Sequence, residues 1–160
     1  MAAQAERKGP GERGDLQRVT DLLGGSRTFR HAPKSPMEAH QMLLKRLPGQ
    51  AAFFLIDNLA IIPKTGPLER VFGMSLRTMQ RRKDAPSKPL SPEQSARAWQ
   101  FATILAKATE VFGTKEAAER WMEQPAMGLN QQRPIDLLTT PPGVELVETF
   151  LGRLEHGVYA

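Results

Sequence analysis

Apolar residues recur every three or four positions along this chain, in short blocks bracketed by helix-capping residues, prolines and glycines. Leu16, Val19, Leu22 and Leu23 form one face of a first short helix that stops at Gly24-Gly25, a face that can dock or dimerise. Ser35-Pro36 with Glu38 predicts a capping box opening a helix that carries Met42, Leu43 and Leu44 and ends before Pro48-Gly49. Gln50 to Leu59 follows, with Phe53, Phe54 and Ile56 as core residues. Ser91-Pro92-Glu93-Gln94 caps the longest helix, whose broad face of Trp99, Ala102, Leu105, Ala106 and Phe112 runs to Gly113. Thr114 caps the next, with Ala117, Ala118, Trp121 and Met122 inward until Pro125. A loop from Ala126 to Arg133 leads to a one-turn helix at Pro134 to Leu138. The last helix, from Pro142, carries Val144, Val147, Phe150, Leu151 and Leu154 and ends at Gly157. No segment alternates with period two over a strand's length, so the predicted fold is all-α.

The stretch from Leu68 to Lys83 is the most informative. Leu68, Val71 and Phe72 make the inner face of one short helix, Gly73 lets the backbone turn, and Met74 fills the corner. Ser75 caps a second helix with Leu76 and Met79 inward. This is helix-turn-helix logic. Arg77, Thr78, Gln80 and Arg81 are left facing outward, the side-chain types that reach base edges and phosphates in a major groove. Arg82 and Lys83 extend the set to four cations before the first carboxylate, Asp84. Glu69 stands where a small residue normally lets the two helices approach, and Gly66-Pro67 shortens the first helix.

Charge supports that reading. The 160-residue chain carries a net charge of +5, yet residues 1–89 hold 16 Lys/Arg against 8 Asp/Glu and residues 90–160 hold 6 against 9. A basic front half suits a polyanion, and an acidic back half needs another partner. The absence of cysteine excludes disulfides, thiolate metal sites and thiol nucleophiles, and fits a cytoplasmic location. His31, His40 and His156 lie far apart without metal-ligand spacing, so neither a metal nor a cofactor is expected. Gly9 to Gly14 matches a dinucleotide fingerprint formally, but no strand precedes it. The first 14 residues, polar and glycine-rich, are expected to form a flexible tail. Without a nucleophile elbow or paired acid and base, the chain is not expected to be an enzyme. The terminal helix and its tail, Gly143 to Ala160, can serve either to close the core or to anchor a protein partner.

Taken together, Ser75 to Lys83, Phe112-Gly113 with Ala118, Trp121 and Met122, the Gly128 to Leu138 loop with Arg133-Pro134, and Gly143 to Ala160 resemble the Xre/ParS/MbcA antitoxins, partners of RES-domain toxins in type II toxin–antitoxin systems. The resemblance covers roughly residues 40–160. Asn130 and Gln131 stand where the family often has a glycine pair. The resemblance implies a helical bundle with an Xre-like helix-turn-helix followed by a helical toxin-binding domain. It implies a RES toxin of ADP-ribosyltransferase-like fold that depletes NAD and is blocked at its entrance, and promoter DNA of the chain's own operon as a second ligand. The expected segments are a flexible 1–34 with a short helix, a DNA-binding domain at 35–89 and a toxin-binding domain at 90–160. Ser75, Arg77, Thr78, Gln80, Arg81, Arg82 and Lys83 are the DNA-binding candidates. Arg133, Arg153, Glu155, His156, Gly157, Val158, Tyr159 and Ala160 are the toxin-binding candidates, the last two offering an aromatic ring and a terminal carboxylate. A homodimer is expected from the two-fold symmetry of operators, through the Leu16 stripe or the Trp99 helix. A stand-alone transcription regulator with a dimerisation or ligand domain, and a small enzyme, are the competing classes.

Overall fold

A computed structural model describes residues 10–157, with side chains from Arg13 onward. Nine helices succeed one another among these residues: α1 (Pro10–Leu22), α2 (Pro36–Leu44), α3 (Gly49–Asp57), α4 (Gly66–Phe72), α5 (Leu76–Arg82), α6 (Pro92–Phe112), α7 (Lys115–Met122), α8 (Pro134–Leu137) and α9 (Pro141–Glu155). No strand forms among the described residues; the only β pairings are two isolated bridges, Pro48 with Pro89 and Ala126 with Gln132.

The local signals act where the sequence places them. Ser91 makes the full reciprocal capping box with Gln94, each bond at 3.0 Å. Ser75 and Thr114 accept from Thr78 N–H and Ala117 N–H, both at 3.1 Å, and such caps are worth about 1 kcal/mol each. The box at Ser35 is only half formed. Ser35 Oγ accepts from Glu38 N–H at 3.1 Å, but the Glu38 carboxylate turns to Lys34 N–H at 2.8 Å instead of returning to Ser35.

One hydrophobic core runs from Val19 to Leu151, centred on α6. Phe72 of α4 meets Phe101 of α6 with ring centroids 5.3 Å apart, so the helix-turn-helix and the C-terminal helices share a single support. Three expectations change here. Helix α1 begins at Pro10, so part of the predicted tail is helical, while residues 1–9 lie outside the described residues. Val19 and Leu23 are 3% and 0% exposed, buried beside α6, which removes half of the proposed docking stripe from the surface. Phe54 is half-buried, its ring under the Arg27 guanidinium at 5.9 Å, rather than in the core.

A buried carboxylate joins the two halves. Glu119 of α7 is 0% exposed and accepts from the backbone N–H groups of Ala60, Ile61 and Ile62 at 3.2, 3.0 and 3.2 Å. Lys115 Nζ lies 3.4 Å from the same carboxylate and donates to Asn58 O. Three backbone donors and one cation therefore compensate its desolvation, and the segment leading into α4 is tied to α7.

Candidate functional site

The first surface is built on α4 and α5. Gly73, at φ 63°, takes the left-handed conformation that ends α4. Arg97 of α6 donates to Arg70 O at 3.0 Å and so satisfies one of the last carbonyls of α4. Leu68, Val71, Phe72, Met74 and Met79 are buried, as the spacing requires, and Leu76 packs against them. Glu69 does not obstruct the turn: its Oε1 accepts from Leu76 N–H at 3.2 Å and satisfies a free donor at the start of α5.

Arg77, Thr78, Gln80 and Arg81 are exposed on α5, and neither arginine has an ion-pair partner among the described residues. Ser75 is exposed but internally occupied, accepting from Thr78 N–H and donating to Thr78 Oγ1 at 2.8 Å. Two candidates stand apart from the outer face. Arg82 is half-buried with Nη1 buried and unpartnered. Lys83 donates to both oxygens of Asp57 at 3.1 and 3.0 Å, fastening the end of α5 to α3.

The second surface lies where α9 meets the loop after α7. Gly128, Leu129, Pro142, Leu146, Phe150 and Arg153 line much of a groove of about 340 Å³. Met127 and Leu146 are 83% and 55% exposed; Leu146 lines the groove and Met127 precedes its Gly128 in the chain. Behind it, Trp121 stacks on Phe150 with centroids 6.0 Å apart and planes 3° from parallel, and Phe112 packs on Trp121 at 5.2 Å. These half-buried rings give the groove a stiff back wall. Gly128 approaches Phe150 so closely that a Cβ there would stand 2.2 Å from the ring.

The loop holds its shape through Ala126 N–H to Gln132 O at 3.1 Å and Gln131 N–H to Ala126 O at 2.9 Å. Asn130 and Gln131, at φ 54° and 62°, occupy left-handed conformations that glycine adopts without strain. Arg133 is drawn inward: it makes two hydrogen bonds to Asp136, at 2.8 and 3.0 Å, and that bond and charge raise its already high pKa. Burial pushes the nearby Glu123 carboxyl above its ordinary value, against the lowering pull of Arg133. Arg153, Glu155, His156 and Gly157 are exposed at the end of α9, while Val158, Tyr159 and Ala160 lie outside the described residues.

Among the described residues no three His, Cys, Asp or Glu side chains gather as a metal site, and no helix is long and apolar enough to cross a membrane. Residues 38–102 match the Antitoxin Xre-like helix-turn-helix domain, and residues 107–157 match the Antitoxin Xre/MbcA/ParS C-terminal toxin-binding domain. "Antitoxin Xre" of Yersinia enterocolitica is 37% identical over 110 residues, 66% of this chain and 73% of its own length. The chain belongs to the Xre antitoxin family. "Antitoxin Xre" of Photorhabdus laumondii is 32% identical over 104 residues, covering 64% of this chain and 69% of that protein. A Sphingobium protein named "Prs ADP-ribosylating antitoxin" is 31% identical over 88 residues, 49% of this chain and 55% of its own length.

As an Xre-family antitoxin, the protein is a helix-turn-helix member of a type II toxin–antitoxin system, a regulatory and non-enzymatic family that binds a cognate toxin. The resemblance seen in its sequence is thereby established at family level. Sequence reasoning missed Glu119, Leu146 and Met127. Leu146 had a signal, being an apolar residue on α9 outside the Val144, Val147, Leu151 face.

Proposed function

We propose that this antitoxin neutralises a RES-domain, NAD-consuming toxin through α9 and the Ala126–Arg133 loop, and represses its own operon through α5. The observation that carries the reading is the pairing of two outward surfaces on one core: unpaired arginines on α5, and an apolar groove edged by Arg153 in the segment matched to the toxin-binding family. The name of the Sphingobium relative refers to ADP-ribosylation, which draws ADP-ribose from NAD, and so supports the same substrate chemistry. An acidic group and an aromatic ring together suit an NAD-binding entrance; Glu155, at the end of α9, and Tyr159 are proposed to supply these, and Arg153 and His156 to meet acidic groups of the toxin.

Arg77, Thr78, Gln80 and Arg81 are proposed to read the operator. Ser75 and Lys83 hold α5 in place, and Arg82 lies at its inner edge. Replacing Arg81 by Ala is expected to weaken operator binding by about 1–3 kcal/mol if it contacts a base, and to lower affinity for all sequences alike if it contacts phosphate. Gel shifts on the operon's promoter fragment and on unrelated DNA distinguish the two. A homodimer on a two-fold operator completes the proposal, with half-sites about one helical turn or a multiple apart.

Deleting residues 157–160 tests the toxin arm. Gly157, at φ 69°, already terminates α9, so truncation is expected to leave melting temperature and DNA binding unchanged while reducing survival on toxin co-expression. Full protection by the truncated protein would remove the tail from the contact and leave the groove to carry it.

A further inference from the structure

The basic surface of the front half extends beyond α5. Arg27, Arg30, Lys45 and Lys88 are all exposed, and none has a carboxylate partner among the described residues. They are also joined structurally. After α5 the chain makes two tight turns, Ala85 N–H to Arg82 O and Lys88 N–H to Ala85 O, both at 3.0 Å. It then runs beside the start of α3, where Gly49 N–H donates to Lys88 O and Gln50 N–H to Pro86 O, each at 2.9 Å. Gln50 Nε2 donates to Arg27 O at 3.0 Å, and the Arg27 guanidinium rests on Phe54 one turn further along α3. Lys45 caps the end of α2 and shares a cleft of about 440 Å³ with Arg30 and His31. Glu38 is the one carboxylate lining that cleft, and it is held by Lys34 N–H.

The result is a belt of cations that begins at the C-terminal end of α5 and passes around the start of α3. Like charges gathered without ion-pair partners are relieved by a polyanion, and Lys88 lies six residues beyond the end of α5, the helix proposed to enter the groove. Lys45 and Lys88 carry compact point charges that suit phosphates, and the guanidinium forks of Arg27 and Arg30 match phosphate oxygens equally well. We propose that Arg27, Arg30, Lys45 and Lys88 contact the DNA backbone flanking the site read by α5, adding a sequence-independent contact that lengthens the footprint. This inference rests on α5 being the DNA-reading helix.

Salt dependence of binding separates it from a merely solvated basic surface. Each phosphate contact contributes about 0.9 to the slope of log affinity against log salt. The triple variant Arg30→Ala, Lys45→Ala, Lys88→Ala of the full chain is expected to lose about 2.7 from that slope per bound protomer, about 5.4 for the proposed dimer, on a promoter fragment with long flanks. On a duplex trimmed to the α5 site, wild type and variant are expected to show equal slopes. The ratio of operator to unrelated-DNA affinity should stay within about two-fold, whereas Arg81→Ala alters operator binding on both duplexes. Arg27 is left intact because it packs on Phe54, and an unchanged melting temperature shows that the variant is folded. A slope on the long duplex equal to wild type would overturn the belt while leaving α5 as the reader. A wild-type protein that binds neither duplex would overturn the α5 reading itself. Weakened toxin capture with unaltered DNA slopes would also overturn the proposal and assign these cations to the protein partner.

Discussion

Alanine in place of Glu119 is expected to lower the melting temperature by about 6–12 °C. Removing the carboxylate leaves three backbone N–H groups without their acceptor, that of Ile62 buried and those of Ala60 and Ile61 part-buried, and strips Lys115 of its ion-pair partner. Charge-assisted hydrogen bonds and stranded buried donors each count for about 1–3 kcal/mol. Even partial rescue by water leaves a loss of roughly 3 kcal/mol, and each kcal/mol shifts the midpoint of a protein this size by about 2–4 °C. Glu119→Gln keeps an acceptor oxygen for part of the set and should lose about half as much. Glu116→Ala, at an exposed position on the same helix, should change stability by no more than about 0.5 kcal/mol. Hydrogen exchange locates the effect: the amides of Ala60, Ile61 and Ile62 should lose protection in Glu119→Ala. A melting point within 2 °C of wild type would show that the clamp contributes little.

Opposite effects are expected from the same substitution at two glycines of α9. At Gly143 a Cβ would stand 1.9 Å from Leu137 O and 2.8 Å from its carbon, so α9 would have to move off the end of α8. Backbone atoms cannot rotate aside as a side chain can, and forced repacking of this kind costs about 1–3 kcal/mol. The movement would also disturb the N-cap, where Gly143 N–H donates to Thr140 Oγ1 at 3.2 Å. Gly152 meets nothing within 4 Å, and a helix-interior glycine is about 0.5–1 kcal/mol less stable than alanine. Gly143→Ala should therefore melt several degrees lower and Gly152→Ala slightly higher, by thermal unfolding of the full chain. Equal stability of Gly143→Ala and wild type would contradict the close approach of α8 and α9.

The contrast between these residues explains what the sequence could reveal. Caps, glycine stops and inward spacing are interactions between neighbours in the chain, so Ser75, Ser91, Thr114, Gly73 and Gly113 could be assigned from local pattern. Glu119 could not be assigned in that way, because its partners are backbone amides nearly sixty residues away and backbone amides have no signature in sequence. One hint existed: Glu119 sits between Ala118 and Met122 on the inner side of α7, at i+4 from Lys115. Lys83 and Arg133 taught a related lesson. Their types fit recognition, but Asp57 and Asp136 lie close enough to occupy them; the Lys83–Asp57 pair spans 26 residues and is not written in spacing, whereas Arg133 and Asp136 form an i,i+3 pair that the sequence did offer. The α1 stripe failed as a free surface because periodicity identifies an apolar face without saying what covers it.

The most direct measurement is the NAD remaining after a RES-domain toxin, the proposed partner, is mixed with the purified antitoxin. NAD consumption is predicted to fall to background once the antitoxin is stoichiometric, with the two proteins eluting as one complex. Undiminished NAD consumption at excess antitoxin, with the proteins eluting apart, would contradict the account.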